Sequence, residues 1–319
     1  MSRVINSTFI FILIVEFIIG NLGNGFIALV NCVDWVKRRK ISLADQILTA
    51  LAISRIVLLC LIFFNWYVSV FNPALLMYEK ISRTLVVFWT VVNHFSIWLA
   101  TCLSIFYFLK IANFSNLIFF YLKRRVKKVV SVILLVTLVL LFLNIALVNI
   151  RLNAWINGYE RNRTCISISS NFIQFSSFLL FTNIMFIAIP FTLSLTTFIL
   201  LISSLWKHVK KMQHGAKGSG DVSTTVHIKA MQAVITFLLL YALFFLSYFV
   251  PIWSPDLLEK NAIITFWVML GTAYPSVHSC VLILHNSKLR QASLSVLWWL
   301  RCMFKDGEPL GHTPFRESS

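Results

Sequence analysis

Three polar side chains lie on one face of the third long apolar segment of the chain, where they could form a binding site. Trp89, Asn93 and Ser96 are spaced i, i+4 and then i, i+3, so a helix would place them on the same side. An indole donates a hydrogen bond, an amide donates and accepts, and a hydroxyl does either. This chemistry suits reversible recognition of a small molecule. For Asn93, hydrogen bonding between helices is an equally good interpretation, and His94 would border the same cavity or pack on a neighbouring helix.

Aromatic residues recur at helical spacing in three later apolar segments and could face this site. Such a cavity would have few hydrogen-bonding groups and no countercharge, so it would favour diverse, largely uncharged molecules. Ordinary aromatic packing is the alternative for each residue. Pro190, which cannot donate a backbone hydrogen bond, would give the fifth segment a flexing point. The candidates are Phe186 on the fifth segment, Tyr241, Phe244, Phe245 and Tyr248 on the sixth, and Trp267, Gly271 and Tyr274 on the seventh.

No constellation for catalysis is present in the sequence. It contains no HExxH zinc motif and no pair of aspartates within apolar segments, which argues against a metalloprotease or an intramembrane aspartyl protease. His94 and His278 are single residues on different segments, and no lysine lies between Lys260 and Lys288 to carry a retinal Schiff base on the seventh. We therefore predict a protein that is not an enzyme and has no cofactor and no metal site.

The candidate residues need helices within a membrane to position them. The chain of 319 residues is 59% hydrophobic and 12% charged, which is not typical of a water-soluble domain. A membrane-spanning helix needs about 20 predominantly apolar residues, and the segments between the apolar runs are too short for a folded domain. We predict an all-α membrane protein in which residues 1–319 form one seven-helix domain, with spans at about 9–33, 46–68, 85–109, 129–150, 178–205, 230–252 and 262–284.

The distribution of basic residues orients this bundle in the cell membrane. Most of the 28 Lys and Arg residues lie in segments 34–45, 110–128 and 206–229 and in the tail 285–319. Because basic residues accumulate on the cytoplasmic side, the N-terminus is predicted to be extracellular and the C-terminus cytoplasmic. The formal charge of +17 could suggest nucleic acid, but no soluble domain carries it. We expect anionic membrane lipid and an acidic cytosolic partner instead.

Several features of the predicted loops and tail bear on this topology. Asn162 begins a glycosylation sequon in the second outer loop and is expected to carry a glycan, whereas the sequon at Asn113 should be cytosolic. Cys165 is the one cysteine expected outside, so it cannot form an intramolecular extracellular disulfide. Residues 287–301 are amphipathic and predict a short eighth helix along the membrane. Cys302 follows it, and both palmitoylation and a free thiol remain open.

Arg55 lies in the middle of the second span, where a guanidinium is costly and needs several acceptors. Asn24 in the first span, Ser54 and backbone carbonyls are candidate partners. An interhelical hydrogen-bond hub is favoured over a ligand contact, and breaking such a hub is one way for a bundle to adopt a second packing. The candidate structural or switch residues are Asn24, Arg55, Pro190, Tyr241 and His278.

Basic residues at the predicted inner ends of the helices form a candidate contact surface for a cytosolic partner. Neutralisation of lipid headgroups is an interpretation that is compatible with this contact. The members of this surface are Tyr107, Lys110, Lys123, Arg124, Lys207, Lys210, Lys211 and Lys229.

Five sequence motifs, found in order from the second span to the tail, resemble those of the type 2 bitter taste receptor family. They are Leu51-Ala-Ile-Ser-Arg55, His94 to Thr101, Phe106 to Asn116, Pro190 to Leu195, and His278 to Leu284 with Asn286 to Arg290. Cys60, where a tryptophan is common, and His285, where a glycine is usual, depart from the family pattern.

The resemblance implies a G-protein-coupled receptor for bitter small molecules. Positions matching Trp89 and Asn93 often contribute to ligand binding in this family, and the position matching Tyr241 is associated with activation. Phe106 to Lys110 stands where many receptors have an acidic-arginine-tyrosine motif. Coupling to a gustducin-type heterotrimeric G protein, and through it to phospholipase C and calcium release, is implied as well. A small seven-span transporter is the alternative function.

Overall fold

A computed structural model of the chain describes residues 2–38, 40–72, 74–75, 78–161, 167–215, 222–253 and 261–306. These residues form nine helices and no strands. The helices are α1 (Ser2–Arg38), α2 (Leu43–Phe71), α3 (Glu79–Ile111), α4 (Leu117–Arg124), α5 (Val126–Arg161), α6 (Ser167–Gly215), α7 (Val222–Trp253), α8 (Asn261–His285) and α9 (Ser287–Asp306).

Each predicted span lies within one long helix, and the helices continue beyond the apolar runs at both ends. Within the described residues, five helices are long and apolar enough to cross a membrane, and residues Val234–Ser247 of α7 form a shorter apolar stretch. These five are Ser7–Arg38, Leu43–Val68, Glu79–Ile111, Val126–Ala154 and Ile184–Lys207. The helical class of the fold and its membrane character are therefore confirmed.

The long helices form a closed ring. Each long helix contacts the next in the order α1, α2, α3, α5, α6, α7 and α8, and α8 contacts α1. Helix α3 also contacts α6 across the ring and carries a nearly continuous buried stretch from Val92 to Ile105. Because α3 meets α2, α5 and α6, it is the element best placed to present side chains to the interior.

Two glycines bring α1 unusually close to α8. A Cβ atom on Gly20 would collide with the Ser276 hydroxyl and would lie 2.6 Å from the Leu59 side chain. A Cβ atom on Gly23 would lie 2.8 Å from Ser279 Oγ. Small residues permit such close backbone approach between membrane helices, so this seam fixes where α8 lies against α1.

The short helix α4 lies in the predicted inner loop and was not expected from the sequence. The Asn116 side chain caps it by accepting a hydrogen bond of 2.9 Å from the Ile118 amide. Phe119 is buried against Phe108 and Phe114, with ring centroids 5.5 and 5.2 Å apart. Lys123 Nζ donates to the Ala112 carbonyl at 2.9 Å. An N-cap signal at Asn116 is present in the sequence, but the burial of Phe119 depends on the fold.

Candidate functional site

The amide of Asn93 is buried without a hydrogen bond to any described residue. Its side chain is 4% exposed on the inner face of α3. One turn earlier Trp89 is partly buried, and one turn later Ser96 is buried. Buried amides in proteins nearly always have a hydrogen-bond partner. Asn93 therefore retains donor and acceptor capacity that the described residues do not use.

An aromatic layer lies at the level of Ile97, one helical turn after Asn93 on α3. Tyr241 and Phe244 of α7 and Tyr274 of α8 are buried together with Ile97 of α3 and Ile187 of α6. The Tyr241 and Tyr274 rings stack at 5.6 Å, and the Phe244 and Tyr274 rings are 4.8 Å apart. Four helices thus meet in one layer, which lies between the level of Asn93 and the half of the bundle that is predicted to be cytoplasmic.

Helix α6 contributes Phe191 to this layer in addition to Ile187. The Phe191 ring lies 5.4 Å from the ring of Tyr241 and stacks on Phe245 at 4.3 Å. Phe186 of α6 and Gly271 of α8 are partly buried at the outer side of the layer. The side chains of Tyr248 and Trp267, also predicted to face the site, lie outside the described residues.

His94 points away from the aromatic layer and toward α5. It is buried next to the backbone of Thr137, with its ring 6.0 Å from the ring of Trp98. Neighbouring residues on a helix are about 100° apart, which is why His94 and Asn93 face different partners. Of the two arrangements considered for His94, the structure shows packing on a neighbouring helix.

Arg55 is fully buried between α2 and α8. Its Nη1 lies 2.7 Å from Nδ1 of His278, and the guanidinium carbon lies 5.1 Å from the centre of the Tyr274 ring. Since a guanidinium can only donate, Nδ1 of His278 must accept, and the imidazole is neutral with its proton on Nε2. Tyr274 therefore belongs to both the aromatic layer and the Arg55 hub.

Neither Asn24 nor Ser54, two of the candidate partners for Arg55, has a hydrogen bond to it in the structure. Asn24 Nδ2 donates to the carbonyls of Gly20 at 2.8 Å and Pro275 at 3.3 Å. Ser54 donates to the Leu51 carbonyl in its own helix. The close α1–α8 seam brings the Pro275 carbonyl within reach of Asn24, so this amide ties α1 to α8 and leaves Arg55 to His278.

A group of hydroxyls next to Pro190 links α3 to α6 and was not predicted. Thr101 Oγ1 donates to the Ile97 carbonyl and lies 3.4 Å from the Pro190 carbonyl, while Ser194 Oγ donates to Thr101 Oγ1 at 3.0 Å. The Tyr241 hydroxyl is buried close by without a hydrogen bond that meets normal geometry to a described group. Small hydroxyl residues at helical spacing in an apolar helix were the available signal.

The structure describes the side chains of six of the eight predicted inner contact residues. Lys110, Arg124, Lys207 and Lys210 are exposed, and Tyr107 is partly buried. Lys123 is partly occupied by its bond to Ala112. The side chains of Lys211 and Lys229, and the sequon at Asn162, lie outside the described residues.

Helix α9 is tied to α1 and α2 by a group of charges that sequence analysis missed. Lys288 Nζ lies 2.8 Å from Asp34, 3.4 Å from Asp45 and 3.0 Å from Asn31 Oδ1. Within the part of the chain that the structure describes, no three His, Cys, Asp or Glu side chains are placed to hold a metal ion. The acidic residues here serve to hold helices together.

A closed ring of long apolar helices with buried polar contacts between them defines a multi-pass membrane protein. A sequence model of the family described as "Taste receptor protein (TAS2R)" matches residues 1–301. The chain belongs to this family, as its motifs predicted, and the family is one of receptors rather than enzymes.

Relatives resemble the chain over its whole length. Taste receptor type 2 member 14 of Gorilla gorilla gorilla is 69% identical over 319 residues, and that of Homo sapiens is 68% identical, with all of both chains covered in each case. Taste receptor type 2 member 125 of Rattus norvegicus is 55% identical over 313 residues, which cover 97% of this chain and 99% of the relative.

Proposed function

We propose that this protein is a G-protein-coupled receptor that binds diverse bitter small molecules among α3, α6, α7 and α8. Binding activates a gustducin-type heterotrimeric G protein, which leads to phospholipase C and calcium signalling. The family supports a receptor for bitter compounds, and the bundle supports a binding site within the membrane. Residues 1–319 act as one domain with seven spans, an extracellular N-terminus and a cytoplasmic C-terminus.

The observation that carries the proposed site is the unused amide of Asn93 above the aromatic layer. A ligand bound there could exchange hydrogen bonds with Asn93 while its apolar parts rest on Phe244 and Tyr241, both of which are buried in the layer. Trp89, Phe186 and Gly271 would form the walls, together with Tyr248 and Trp267. An aromatic site with few polar groups accepts many shapes and discriminates weakly between them.

The same contacts suggest how binding reaches the cytoplasmic side. Tyr241 touches Phe191, which follows Pro190 in α6, and Tyr274, whose ring lies against Arg55. A ligand that shifts Tyr241 would therefore disturb both the α3–α6 hydroxyl group and the Arg55–His278 pair. We infer two packings of these helices, of which the agonist favours the one that accepts a G protein.

The G protein would contact the inner ends of α3, α6 and α7 and the region of α4. Exposed Lys110, Arg124, Lys207 and Lys210, with Tyr107, Lys123, Lys211 and Lys229, provide a basic surface for an acidic partner. Exposed Leu297, Trp298 and Trp299 of α9 support a helix that lies along the membrane surface, where aromatic and apolar side chains enter the headgroup region.

The function is tested in cells that express the chain together with a gustducin-containing G-protein chimera. A panel of chemically diverse bitter compounds should raise cytosolic calcium with some members, and cells without the chain should not respond. Silence across the panel despite surface expression would contradict the proposal. Flux of a compound across the membrane without G-protein activation would point instead to a transporter.

The site is tested by truncating Asn93. Because a single hydrogen bond contributes about 0.5–1.5 kcal/mol, Asn93→Ala should weaken agonist potency by about 2- to 13-fold at unchanged surface expression. Asn21→Ala is the matched control, since the amide of Asn21 donates to the Phe17 carbonyl within α1 at 2.8 Å. Equal potencies for wild type and Asn93→Ala across all agonists would refute the assignment.

A further inference from the structure

We propose that Arg83 is a positioning residue for the ligand site: it ties the first turns of α3 to α5 and thereby aims Asn93 at the interior of the bundle. This inference rests on the proposed function, because it assigns a role in the site proposed above. Arg83 acts through the orientation of its helix and not through contact with the ligand.

The guanidinium of Arg83 joins α3 to α5 through three hydrogen bonds. Its Nη2 donates to Glu79 Oε1 at 2.7 Å, one turn earlier in α3, and to Asn153 Oδ1 of α5 at 2.7 Å. Its Nη1 donates to Asn149 Oδ1, also on α5, at 3.3 Å. Because both nitrogens belong to one rigid plane, the two oxygens of α5 hold the guanidinium in one orientation.

Helix α5 presents these two oxygens on one face. Asn149 and Asn153 are spaced i, i+4, which places them on the same side of a helix. The amide nitrogen of Asn149 donates to the Ile145 carbonyl at 3.0 Å, which leaves its oxygen for Arg83. Residues 79–93 contain no cysteine, so this part of α3 depends on non-covalent contacts to hold its place.

A second contact with α5 lies on the same face of α3. Arg83 and His94 are about three helical turns apart, and His94 is buried next to the backbone of Thr137 of α5. Two contacts on one face fix the rotation of α3 about its axis. Asn93, about 100° from His94 around the helix, is then directed to the side of Ile97, which packs in the aromatic layer.

The role of Arg83 is one of geometry more than of stability. The Arg83 side chain is 29% exposed and that of Glu79 is 53% exposed. Ion pairs at such exposed sites contribute little to folding. We therefore expect Arg83→Gln to fold and to reach the cell surface.

The tie itself is tested by hydrogen exchange on the purified full-length chain in lipid nanodiscs, without agonist or G protein. In Arg83→Gln the backbone amides of residues 80–88 should exchange about 3-fold or more faster than in wild type, because the contact that holds these turns is lost. Lys80→Gln is the matched control. It removes a positive charge from the same end of α3, where Lys80 is exposed, and should leave the exchange unchanged.

The effect on recognition is measured as agonist potency in the calcium assay, at matched surface expression. Arg83→Gln should weaken the potency by about 3-fold or more, because Asn93 is no longer aimed at the ligand. In an Asn93→Ala background the same change should cost less than about 1.5-fold, since distinct residues that act through one contact are not additive. Lys80→Gln should leave the potency unchanged in both backgrounds.

Two results overturn the proposal. Equal potency losses from Arg83→Gln in both backgrounds would mean that Arg83 does not act through Asn93, and unchanged exchange would mean that it does not hold α3. If Arg83→Gln does not reach the surface, Asn153→Ala decides, because Asn153 is exposed and supplies one of the two acceptors on α5. Its smaller loss of potency should also disappear in the Asn93→Ala background, and an equal loss in both contradicts the proposal.

Failure of the proposed function gives a different pattern. A wild type that stays silent across the compound panel would remove the ligand site and the positioning role together. The exchange measurement needs no agonist, so it would still show whether Arg83 ties α3 to α5.

Discussion

Buried polar side chains in this bundle fall into two groups that differ in what they do for the fold. Most hydroxyls return their hydrogen bond to a carbonyl three or four residues earlier in the same helix, which removes the cost of burial without tying helices together. A smaller group, including Arg55, Asn24 and Thr101, reaches a different helix. The first group includes Ser54, Thr90, Thr137, Ser247 and Ser279.

At Gly20 the structure predicts a strong effect from a single added methyl group. In Gly20→Ala the new Cβ would collide with the Ser276 hydroxyl and lie 2.6 Å from Leu59, so α1 and α8 would have to separate. Overpacking of this kind costs about 1–3 kcal/mol, and the thermal midpoint of the purified chain should fall. Gly25→Ala is the control, because nothing lies within 4 Å of its Cβ and alanine favours a helix. Equal midpoints for the two variants would contradict the close seam.

Residue types were predicted better than residue partners. The sequence correctly indicated that Arg55 needs a buried polar partner, since a guanidinium in an apolar span is costly. It could not identify His278, which is 223 positions away, because no local pattern encodes the contact. The orientation of His94 toward α5 has the same origin: helical spacing predicts which residues share a face, but the helix that covers a face depends on the packing of the whole ring.

Among the helices, α9 is held by charge rather than by apolar packing alone. Lys288 contacts Asp34 at the end of α1 and Asp45 at the start of α2. A partly buried network of this kind is stronger than an isolated surface ion pair. The first turn of α9 is therefore anchored to two other helices, while large apolar side chains from Leu294 to Trp299 remain exposed.

Removal of the Lys288 charge should loosen α9 selectively. In Lys288→Met the two carboxylates lose their shared cation, and backbone amides near residues 287–295 should exchange hydrogen for deuterium more rapidly, by about 3-fold or more. Mass spectrometry of the purified chain measures this rate. Arg290→Met is the control, because Arg290 is exposed on the same turn of α9. Similar exchange in both variants would mean that the ion pairs do not hold α9.

Helix positions were predictable because apolar runs of span length have few other structures available in a membrane. The boundaries were less predictable, since helices such as α6 (Ser167–Gly215) continue into polar sequence. Helix α4 escaped prediction because its stability depends on tertiary contacts. Eight residues rarely form a stable isolated helix. Helix α4 is held by Phe119, which packs against the rings of Phe108 and Phe114, and by the hydrogen bond of Lys123 to the Ala112 carbonyl.

For the whole molecule, the ring explains how a chain without a separate ligand-binding domain can act as a receptor. Contacts between successive helices and between α1 and α8 enclose an interior that α3 crosses. Composition predicted a helical membrane bundle, whereas the orientation inferred from the distribution of basic residues stays a prediction. The closure of α8 onto α1 through glycines was not predictable, because single small residues are common in apolar helices.

The proposed orientation predicts one glycan on the extracellular side. Asn162→Gln should remove a mass shift that an amidase specific for N-linked glycans also removes from wild type, because the proposed orientation would place the sequon at residue 162 in the lumen during synthesis. Gel electrophoresis of the expressed protein measures the shift. Asn113→Gln should leave the mass unchanged, since that sequon would be cytosolic. A shift lost in Asn113→Gln and kept in Asn162→Gln would reverse the topology.

The Lys288 contacts also bear on the order in which the chain is made. Asn31 and Lys288 are 257 positions apart. The end of α1 and the start of α2 therefore emerge from the ribosome long before Lys288, which pairs with Asp34 and Asp45. Until α9 arrives, Asp34 and Asp45 are like charges without the lysine that they share. A nascent chain halted before residue 288 would therefore lack the cation that joins the ends of α1 and α2 in the complete fold.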